Sequence, residues 1–520
     1  MLVTLPNEFL DVISNNDGLQ RYLEQLSIGR KMTPRSWLYE ELEPNQVLDR
    51  WKERLSTLEN GDTFEKKVFQ FDISQEAKWG PQGGIAPMSQ LLPEIVEPTF
   101  AQHSPARAFG SQEWRKAIEQ VSYELSHDTK FGKLRPASYK RVIDDMRARD
   151  TLESNSGWPD FARRSLPDVR RSAIAAAEDG EWSEYPAIAL FRNYNQKTRL
   201  VWMFPMAANV FEGSFMQPIQ SAIINSGDPF YVPWVGFDGV RDRITQTYDD
   251  GKFIYASDFS KTDEHFTWQA TREVLKVLKV VFAQSYGKGL EDSLYRMHHI
   301  PLIVSDKQML TGEHGVSSGS NWTNFIETVF DGIFANYVRS ATGHSGLYAI
   351  GDDMAWVSDN YDDAFSKDLE NLGKQVGQQV KADKTTNEPD SVKTLQRLFQ
   401  RGYSRPDGML RGVYSTVRAL KSSVYPERFH RPEDWSSNMF CARQYMILEN
   451  CVDHPLFEEF VSFVVKGQKD LIPFARKSRS ELNRIHRESK LLPGLNPTYN
   501  QEKRDHSLSD FAAIKVARNL

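Results

Sequence analysis

Two pairs of aspartates stand where their carboxylates could bind divalent cations. Asp258 ends the apolar run FIYAS, which predicts a short buried strand, and Asp263 follows five positions later. Asp352 and Asp353 follow Gly351 between two further apolar runs, a pattern that predicts a hairpin with a tight turn. An aspartate at the end of a strand is held in place by the sheet, which suits a metal ligand.

Carboxylates at the ends of neighbouring strands would converge on one point. Hard oxygen ligands select Mg²⁺ or Mn²⁺ over zinc, and two such ions about 4 Å apart can activate a 3′-hydroxyl and stabilise a leaving pyrophosphate. Each pair also has an alternative explanation when taken alone. The first is typical of a helix N-cap followed by a surface acid, and the second is typical of an exposed turn.

The segment between the two pairs predicts a loop followed by a buried helix. The run SSGS at residues 317–320 consists of small residues, which would let a nucleotide or a template backbone approach closely. Apolar residues then recur at helical spacing over residues 325–338. Thr323 and Asn324 could hydrogen-bond a ribose from the start of this helix, although an ordinary N-cap explains them equally well.

Composition limits the class of protein. The chain has 520 residues, 40% hydrophobic and 12% aromatic, which indicates a folded protein with roughly two to four subdomains. Its two cysteines, Cys441 and Cys451, argue against a disulfide framework and exclude a cysteine-rich zinc site. No basic start precedes an apolar run, and no stretch approaches about 18 consecutive apolar residues. We therefore expect a soluble protein that is intracellular or packaged in a particle.

Charge is distributed unevenly along the chain. The net charge of −6 gives no indication of nucleic acid binding, but two basic stretches, residues 130–200 and 466–490, flank the acidic middle that contains Asp258 and Asp352. Two such regions could hold a polyanion over a carboxylate cluster. Either stretch alone is more typical of a solvated helix surface.

In this order and spacing, three motifs resemble motifs A, B and C of viral RNA-dependent RNA polymerases. They are Asp258-x4-Asp263, Ser318-Gly319-x3-Thr323 and Gly351-Asp352-Asp353. The gaps between them, about sixty and about thirty residues, also suit that family. The resemblance implies that Asp258 and Asp352 hold Mg²⁺, with Asp353 in a supporting role and Mn²⁺ as an alternative ion.

The segment FRNYNQKTRLVWMFP resembles motif F, whose basic residues bind the incoming triphosphate. Lys197 and Arg199 are the best matches, and Arg192 is a third. By the same resemblance, Asp263 would hydrogen-bond the ribose 2′-hydroxyl, which distinguishes RNA from DNA. The remaining nucleotide contacts implied by motif B are Ser318, Gly319, Thr323 and Asn324.

Three further segments resemble motifs G, D and E. SNSGWP, residues 154–159, resembles the template-guiding motif G. LGKQVGQQVKADKT resembles motif D, whose lysine is proposed to protonate the leaving pyrophosphate, and this lysine is Lys384 by position, with Lys381 as the competitor. RLFQRGYSRPDG resembles motif E, at the junction of palm and thumb. The implied template contacts are Ser156, Gly157 and Pro159.

One group within the family is the most similar. KTRLVWMFP, ANVFEG, DFSKTD and SSGSNWTNFIET together look most like the polymerases of picobirnaviruses and partitiviruses, which have segmented double-stranded RNA genomes. One position departs from many positive-strand viral enzymes, whose motif B has Asn nine residues after the Ser. Here that residue is Glu327, and Asn324 lies one helical turn earlier. The ribose-selection partner of Asp263 is therefore either Asn324 or Glu327.

The implied fold is α+β, a right-hand polymerase with an antiparallel palm sheet and mostly helical fingers and thumb. We expect an N-terminal extension over residues 1–100, fingers over 101–250, a palm with finger insertions over 251–405, and a thumb and tail over 406–520. Turn formers and a polar run from Pro493 onward predict a tail or loop closed by a short helix.

The implied activity is template-directed transfer of nucleotides from NTPs to an RNA 3′-hydroxyl, in replication and transcription of a viral genome. We expect a monomer that binds RNA template and product, NTPs and a viral capsid protein, without a membrane, in the virion interior and host cytoplasm. Whether initiation is primed or de novo stays open.

Two rival functions share parts of this pattern. A reverse transcriptase uses the same palm and metal chemistry, but usually has a bulky residue where Asp263 stands, to exclude the 2′-hydroxyl. A non-catalytic RNA-binding protein with a palm-like fold would not need the acids, and all of them are present.

Overall fold

The first hundred residues contribute to two separate hydrophobic cores. In the computed structural model, which describes residues 1–130, 133–428, 435–495 and 506–520, they form β1 (Leu2–Thr4), α1 (Asn7–Ser14), α2 (Asp17–Ile28), α3 (Pro44–Leu55), α4 (Thr63–Ser74) and α5 (Met88–Leu91). Helices α1, α2 and α5 share a hydrophobic core with residues 142–210, whereas α3 and α4 share one with residues 398–517. This segment therefore packs on the predicted fingers and on the predicted thumb.

A five-stranded sheet forms the centre of the predicted fingers. This region contains α6 (Gln112–Asp128), α7 (Tyr139–Ala148), α8 (Pro167–Asp179), β2 (Ala187–Tyr194), β3 (Lys197–Met203), α9 (Met206–Ser226), α10 (Val232–Val235) and α11 (Phe237–Asp249). The β2–β3 hairpin turns through Asn195 and Gln196, whose φ angles of 53° and 61° are left-handed. Lys421, in the thumb, donates a hydrogen bond to Asn195 Oδ1, so the hairpin tip touches the thumb.

The palm region carries both aspartate pairs and an insertion that returns to the fingers. It contains β4 (Phe253–Asp258), α12 (Thr262–His265), α13 (Trp268–Leu278), α14 (Gly287–Met297), β5 (Leu302–Ile303), β6 (Gln308–Leu310), α15 (Trp322–Thr342), β7 (Ser345–Ile350), β8 (Asp353–Ser358), α16 (Phe365–Gln375), β9 (Thr386–Asn387), β10 (Ser391–Thr394) and β11 (Arg397–Gln400). Strands β5 and β6 complete the fingers sheet, whose order is β1-β6-β5-β2-β3.

The palm sheet is antiparallel, as predicted, with the order β7-β8-β4-β9. Its central strands have the register Asp258↔Asp353, so the apolar runs that precede and follow the acids pair with each other. Helix α15 packs behind the sheet, with Phe330 and Phe334 in the same core as Trp356. The predicted strand at Asp258, the hairpin at Gly351 and the helix after residue 325 are all confirmed.

Helices make up most of the predicted thumb, residues 406–520. It contains β12 (Val413–Tyr414), α17 (Thr416–Val424), α18 (Ser437–Glu449), α19 (Phe457–Val465), α20 (Leu471–Ala475), α21 (Arg479–Lys490) and α22 (Ala512–Arg518). The last helix is the predicted short helix that closes the tail, whereas the polar run at 496–505 lies outside the described residues. Strand β12 joins β10 and β11 in a three-stranded sheet between palm and thumb.

A buried aspartate fixes the N-terminal segment to the thumb. Asp72 of α4 is 0% exposed and accepts hydrogen bonds from Ser415 Oγ at 2.5 Å, Thr416 Oγ1 at 3.0 Å and His454 Nε2 at 2.6 Å. A buried carboxylate is stable only when its oxygens accept hydrogen bonds in this way.

Among the helices that the structure describes, none combines the length and apolar character needed to cross a membrane.

Candidate active site

A cleft of about 540 Å³ lies where the palm sheet meets the β2–β3 hairpin. Acidic side chains of the palm and basic side chains of the fingers face each other across it, and two lysines following α16 complete it. Its charged lining residues are Lys197, Arg199, Asp258, Lys261, Asp263, Glu264, Asp352, Lys381 and Lys384. The structure thus brings together residues from the segments that resemble motifs A, C, D and F.

Strand register brings Asp258 and Asp352 to the same cleft. Strands β4 and β8 are antiparallel neighbours, and Asp352 occupies the turn just before β8. The N–H of Phe259 donates to the Asp352 carbonyl at 3.1 Å, and Thr262 Oγ1 donates to Asp352 Oδ2 at 3.4 Å. Gly351 adopts a φ of 60° in this turn, which favours glycine.

The carboxylates in the cleft repel one another. Partial burial raises the pKa of Asp352, and the charge of Asp258 raises it further. Partial burial likewise raises the pKa of Asp258, whereas Lys384 first, and then Arg199 and Lys197, lower it. Such a site gains stability from a cation that both carboxylates can share.

Asp263 lies on the short helix α12, directly after the turn at Lys261, whose φ is 57°. Burial and the neighbouring Asp352 raise the pKa of Asp263 to about 6, and Arg199 opposes this shift. Asp263 therefore shares the cleft with Asp258 and Asp352, as predicted for a group that contacts the nucleotide.

Asp353 lies outside the cleft lining. It opens β8 directly across from Asp258, and burial first, then Asp352 and Asp258, raise its pKa to about 7. Its position agrees with a supporting rather than a leading role among the predicted metal ligands.

We expect Asp353 to make stability depend on pH in the absence of divalent ions. Because its pKa is raised in the folded state from about 3.9 in the unfolded chain, its contribution to stability is complete below about pH 4 and is lost as the pH rises through its folded pKa of about 7. The free energy of unfolding of the parent should therefore fall relative to that of Asp353→Asn between about pH 4 and about pH 7. Denaturant titrations in chelator measure this difference.

The exposed Asp363→Asn variant is the control, and its stability should follow that of the parent at every pH. Parallel curves for the parent and Asp353→Asn would contradict the electrostatic coupling inferred for Asp353.

Two of the three predicted motif F residues reach the cleft. Lys197 and Arg199 alternate along β3 and are both exposed at the cleft. Arg192, opposite Arg199 on β2, instead forms a bidentate ion pair with Glu427, with both contacts at 2.7 Å. Arg192 therefore links the predicted fingers to the predicted thumb and is not among the residues that line the cleft, so its contact with a triphosphate stays a prediction.

The motif B loop, residues 317–321, contacts strand β3 through the Ser318 side chain and the Gly319 backbone. Ser318 is exposed, and its Oγ accepts a hydrogen bond from the N–H of Trp202 at 3.3 Å. A Cβ on Gly319 would lie 1.8 Å from the Trp202 carbonyl oxygen, and one on Gly315 would lie 1.8 Å from the Asp263 carbonyl oxygen. Glycine is therefore required at both positions by close backbone approach.

The two predicted ribose contacts at the start of α15 have other partners. Thr323 Oγ1 donates to the Ser317 carbonyl at 2.7 Å, and Asn324 Oδ1 accepts from Trp234 Nε1 at 3.2 Å. Asn324 and the buried Glu327 both lie behind the Gly351 turn, where a Cβ on Gly351 would lie 2.9 Å from Asn324 Nδ2 and 3.4 Å from Glu327 Oε2. Neither is a lining residue of the cleft, so the partner of Asp263 stays open.

The segment that resembles motif G is an internally bonded turn. Ser156 is 2% exposed, and its Oγ accepts from the N–H of Ala162 at 3.2 Å. Gly157 is buried with a φ of 66°, and Pro159 is half-buried. Exposed Ser154 and half-buried Asn155 are more accessible to a template strand than Ser156, whose role as a template contact stays a prediction.

Several residues at or near the site were not predicted from the sequence. Thr262 and Lys261 were inside the motif A segment but carried no pattern of their own, and Thr99 came from a segment with no motif. Glu327 and Asp331 lie one turn apart on α15 and are buried behind the acids, so burial, followed by the charge of Asp352, raises their pKa values well above the usual range. The sequence predicted a buried helix there and offered Glu327 as a possible partner of Asp263, but it did not predict that both acids are buried, because periodicity indicates burial of a helix but not which acids it includes.

The donor set fits a hard divalent cation. Asp258 and Asp352 present carboxylate oxygens at one cleft, which is the ligand type that Mg²⁺ and Mn²⁺ prefer. Within the described ranges, no three His, Cys, Asp or Glu residues have the spacing of a complete protein cage for a metal.

A larger groove, of about 630 Å³, lies along α14. Its charges neutralise each other in pairs, with Lys279 bonded to Glu291 at 2.6 Å and Lys288 to Asp292 at 3.0 Å. The groove therefore lacks the unpaired acids and bases that the smaller cleft offers to a substrate.

Comparisons with known proteins agree with this geometry. The family model described as viral RNA-dependent RNA polymerase matches residues 194–428, which include the hairpin tip, the palm acids and the start of the thumb. The chain is 28% identical over 480 residues to a potential RNA-dependent RNA polymerase of human picobirnavirus (strain Human/Thailand/Hy005102/-), covering 87% of this chain and 86% of the relative.

Solved structures show the same fold. The crystal structure of the RNA-dependent RNA polymerase of a human picobirnavirus has a TM-score of 0.82 and 21% identity, covering 99% of this chain and 100% of that one. An insertion loop deletion mutant of such a polymerase has a TM-score of 0.81, with the same identity and coverage. The α+β right-hand fold is thereby confirmed. Together with the acids and the basic hairpin, these likenesses show that the chain resembles the viral RNA-dependent RNA polymerases.

Proposed function

We propose that the cleft between β3 and the palm sheet transfers nucleotides from NTPs to an RNA 3′-hydroxyl by a two-metal mechanism. One observation carries the proposal: Asp258, Asp263 and Asp352 line the same cleft as Lys197 and Arg199. Acids that can share cations thus face bases that can bind a triphosphate.

Each charged residue that lines the cleft would have a role that follows from its position. Lys197 and Arg199 would bind the triphosphate and neutralise charge on the transferring phosphoryl group, since both are exposed in the cleft. Asp263 would accept a hydrogen bond from the ribose 2′-hydroxyl. Lys384 or Lys381 would supply a proton to the leaving pyrophosphate, and the effect of Lys384 on the pKa of Asp258 favours Lys384.

Asp258 and Asp352 would hold the ions. Asp353, across from Asp258 and outside the cleft lining, would support the position of these two ligands. When bound, Mg²⁺ supplies positive charge to the phosphoryl oxygens and lowers the pKa of the attacking 3′-hydroxyl, and Mn²⁺ would substitute for it. The template base selects the nucleotide by pairing.

The biological setting is proposed from the relatives. The likeness to human picobirnavirus polymerases supports the replication and transcription of a segmented double-stranded RNA genome. We propose that the chain acts as a monomer with a viral capsid protein as a partner, in the virion interior and in the host cytoplasm.

Incorporation of labelled nucleotides on a single-stranded RNA template tests the proposed function. We expect Mg²⁺-dependent extension with ribonucleotides, which should be strongly preferred to deoxyribonucleotides, and reactions with and without a primer would show how synthesis begins. A preference for deoxyribonucleotides would favour a reverse transcriptase, and no extension with either would favour a non-catalytic RNA-binding protein.

Lys197→Ala should raise the apparent KM for NTPs by about tenfold, because a charge-assisted contact of this kind contributes about 1.5–3 kcal/mol. The maximal rate should change less. Initial rates over a range of NTP concentrations measure both parameters, and Lys367→Ala, which removes an exposed lysine of α16, is the control. An unchanged KM for Lys197→Ala would show that Lys197 does not contact the triphosphate.

A further inference from the structure

A hydrogen-bonded network lies beneath the motif B loop. Glu212 of α9 is 1% exposed and accepts hydrogen bonds from Ser320 Oγ at 2.5 Å and from the N–H of Asn321 at 2.8 Å. Asn209, one turn earlier, donates to Glu212 Oε2 and to the Gly319 carbonyl, both at 3.1 Å. Three consecutive residues of the loop are thus bonded to two side chains of one helical turn.

The other side of the network reaches the segment that resembles motif G. Arg164 Nη2 donates to Asn209 Oδ1 at 2.9 Å, and Arg164 Nε donates to the Asn155 carbonyl at 3.0 Å. The N–H of Met206, at the start of α9, donates to the Ser156 carbonyl at 2.8 Å. Helix α9 therefore connects the 154–164 segment to the motif B loop.

The stability of the buried Glu212 carboxylate depends on the conformation of the motif B loop. Burial raises the pKa of Glu212 to about 7, and the hydrogen bonds from Ser320, Asn321 and Asn209 oppose that shift, as does Arg164. A buried carboxylate that loses its donors is strongly destabilised. A different conformation of the loop would move the Ser320 hydroxyl and the Asn321 N–H away from the Glu212 carboxylate. The network therefore favours the observed conformation.

The position of the loop matters for the nucleotide site. Gly319 packs on the Trp202 carbonyl, and Ser318 accepts from the Trp202 N–H. Trp202 lies on β3, the strand that carries Lys197 and Arg199 into the cleft. A shift of the loop would thus reach the phosphate-binding side chains.

We propose that Glu212 and Asn209 are positioning residues that hold the motif B loop in its working conformation, and that Arg164 links this conformation to the 154–164 segment. The inference rests on the proposed nucleotidyl transfer in the cleft. It adds a route by which the segment expected to guide the template is coupled to the loop beside the incoming nucleotide.

Single-nucleotide addition in preassembled complexes with primed RNA tests this proposal. Glu212→Gln should lower the maximal rate per assembled complex by about tenfold or more, because small displacements of positioned groups cost that much. The apparent affinity for the NTP should change by less than about threefold, because Lys197 and Arg199 can still contact the triphosphate from β3 even where their alignment with the acids, and therefore the rate, is altered. Ser320→Ala, which alters only the loop, should lower the same rate, and the double variant should be no slower than the slower single variant.

The controls separate positioning from general stability. Glu273→Gln alters a different buried carboxylate, bonded to Trp114 and Lys276, and should keep the parental rate. Arg164→Ala should slow addition, whereas Arg272→Ala, at an exposed arginine of α13 outside the network and the 154–164 segment, should not. Parental rates in Glu212→Gln and Ser320→Ala, or an equal loss in Glu273→Gln, would overturn the inference while leaving the proposed function intact. Absence of addition by the parent would overturn both.

Discussion

Asp352→Ala should abolish RNA synthesis while leaving RNA binding almost unchanged. Asp352 is exposed in the cleft, next to Asp258 and Asp263, and its loss removes a carboxylate shared by the proposed ions. A loss of about 4 kcal/mol of transition-state stabilisation corresponds to a rate about a thousandfold lower. RNA affinity should persist, because removing a negative charge does not weaken attraction to phosphates.

Primer extension and filter binding on the same RNA measure the two properties. Asp363→Ala, which removes an exposed aspartate distant from the cleft lining, is the matched control and should keep both. Asp353→Ala should have an effect of intermediate size, since Asp353 lies across from Asp258 but outside the cleft lining. Substantial synthesis by Asp352→Ala would remove Asp352 from the active site.

Gly319→Ala should lower the rate of nucleotide addition by about a hundredfold, the cost of displacing an active-site group by about 1 Å. The added methyl would lie 1.8 Å from the Trp202 carbonyl oxygen and 3.2 Å from the Phe204 nitrogen, both of them backbone atoms. Moving the backbone of β3 within its sheet is energetically costly, so the loop and β3 must separate. Lys197 and Arg199 would then lose their register with the acids.

Gly110→Ala is the control, because a Cβ at Gly110 would meet nothing within 4 Å and its φ is not left-handed. Thermal unfolding should show that both variants are folded. Near-parental addition by a folded Gly319→Ala would show that close contact between the motif B loop and β3 is not needed for synthesis.

Local patterns in the sequence were sufficient to predict the central elements of the palm. The strand before Asp258 and the hairpin at Gly351 each consist of adjacent residues whose apolar runs and turn glycine act over short distances. Their pairing in one sheet followed from resemblance and is confirmed by the register Asp258↔Asp353. The resemblance to viral polymerases could be predicted because three short motifs occur in a fixed order.

Contacts between distant segments could not be predicted in this way. Arg192 matched motif F by type and spacing, but its Nε and Nη2 donate to Glu427, 235 positions later. Thr323 and Asn324 also had suitable types, and their partners depend on how α15 meets the loop and Trp234. Periodicity and motif spacing are local patterns, and they do not show which side chains a distant part of the chain will contact.

The N-terminal segment shows the same limit. Nothing in its sequence distinguished the half that packs with the fingers from the half that packs with the thumb, because both are ordinary amphipathic helices. Asp72 was unremarkable as a single acid in α4, yet it is completely buried by thumb residues more than three hundred positions away.

The number of divalent ions held by Asp258 and Asp352 is the most direct test of the central proposal. Mn²⁺ binding can be counted by electron paramagnetic resonance in complexes of the protein with primed RNA and an NTP analogue that cannot be cleaved. About two ions per complex are expected for the parent, and at least one fewer for Asp352→Ala. Equal numbers of bound ions in the two proteins would contradict the assignment of Asp352 as a metal ligand.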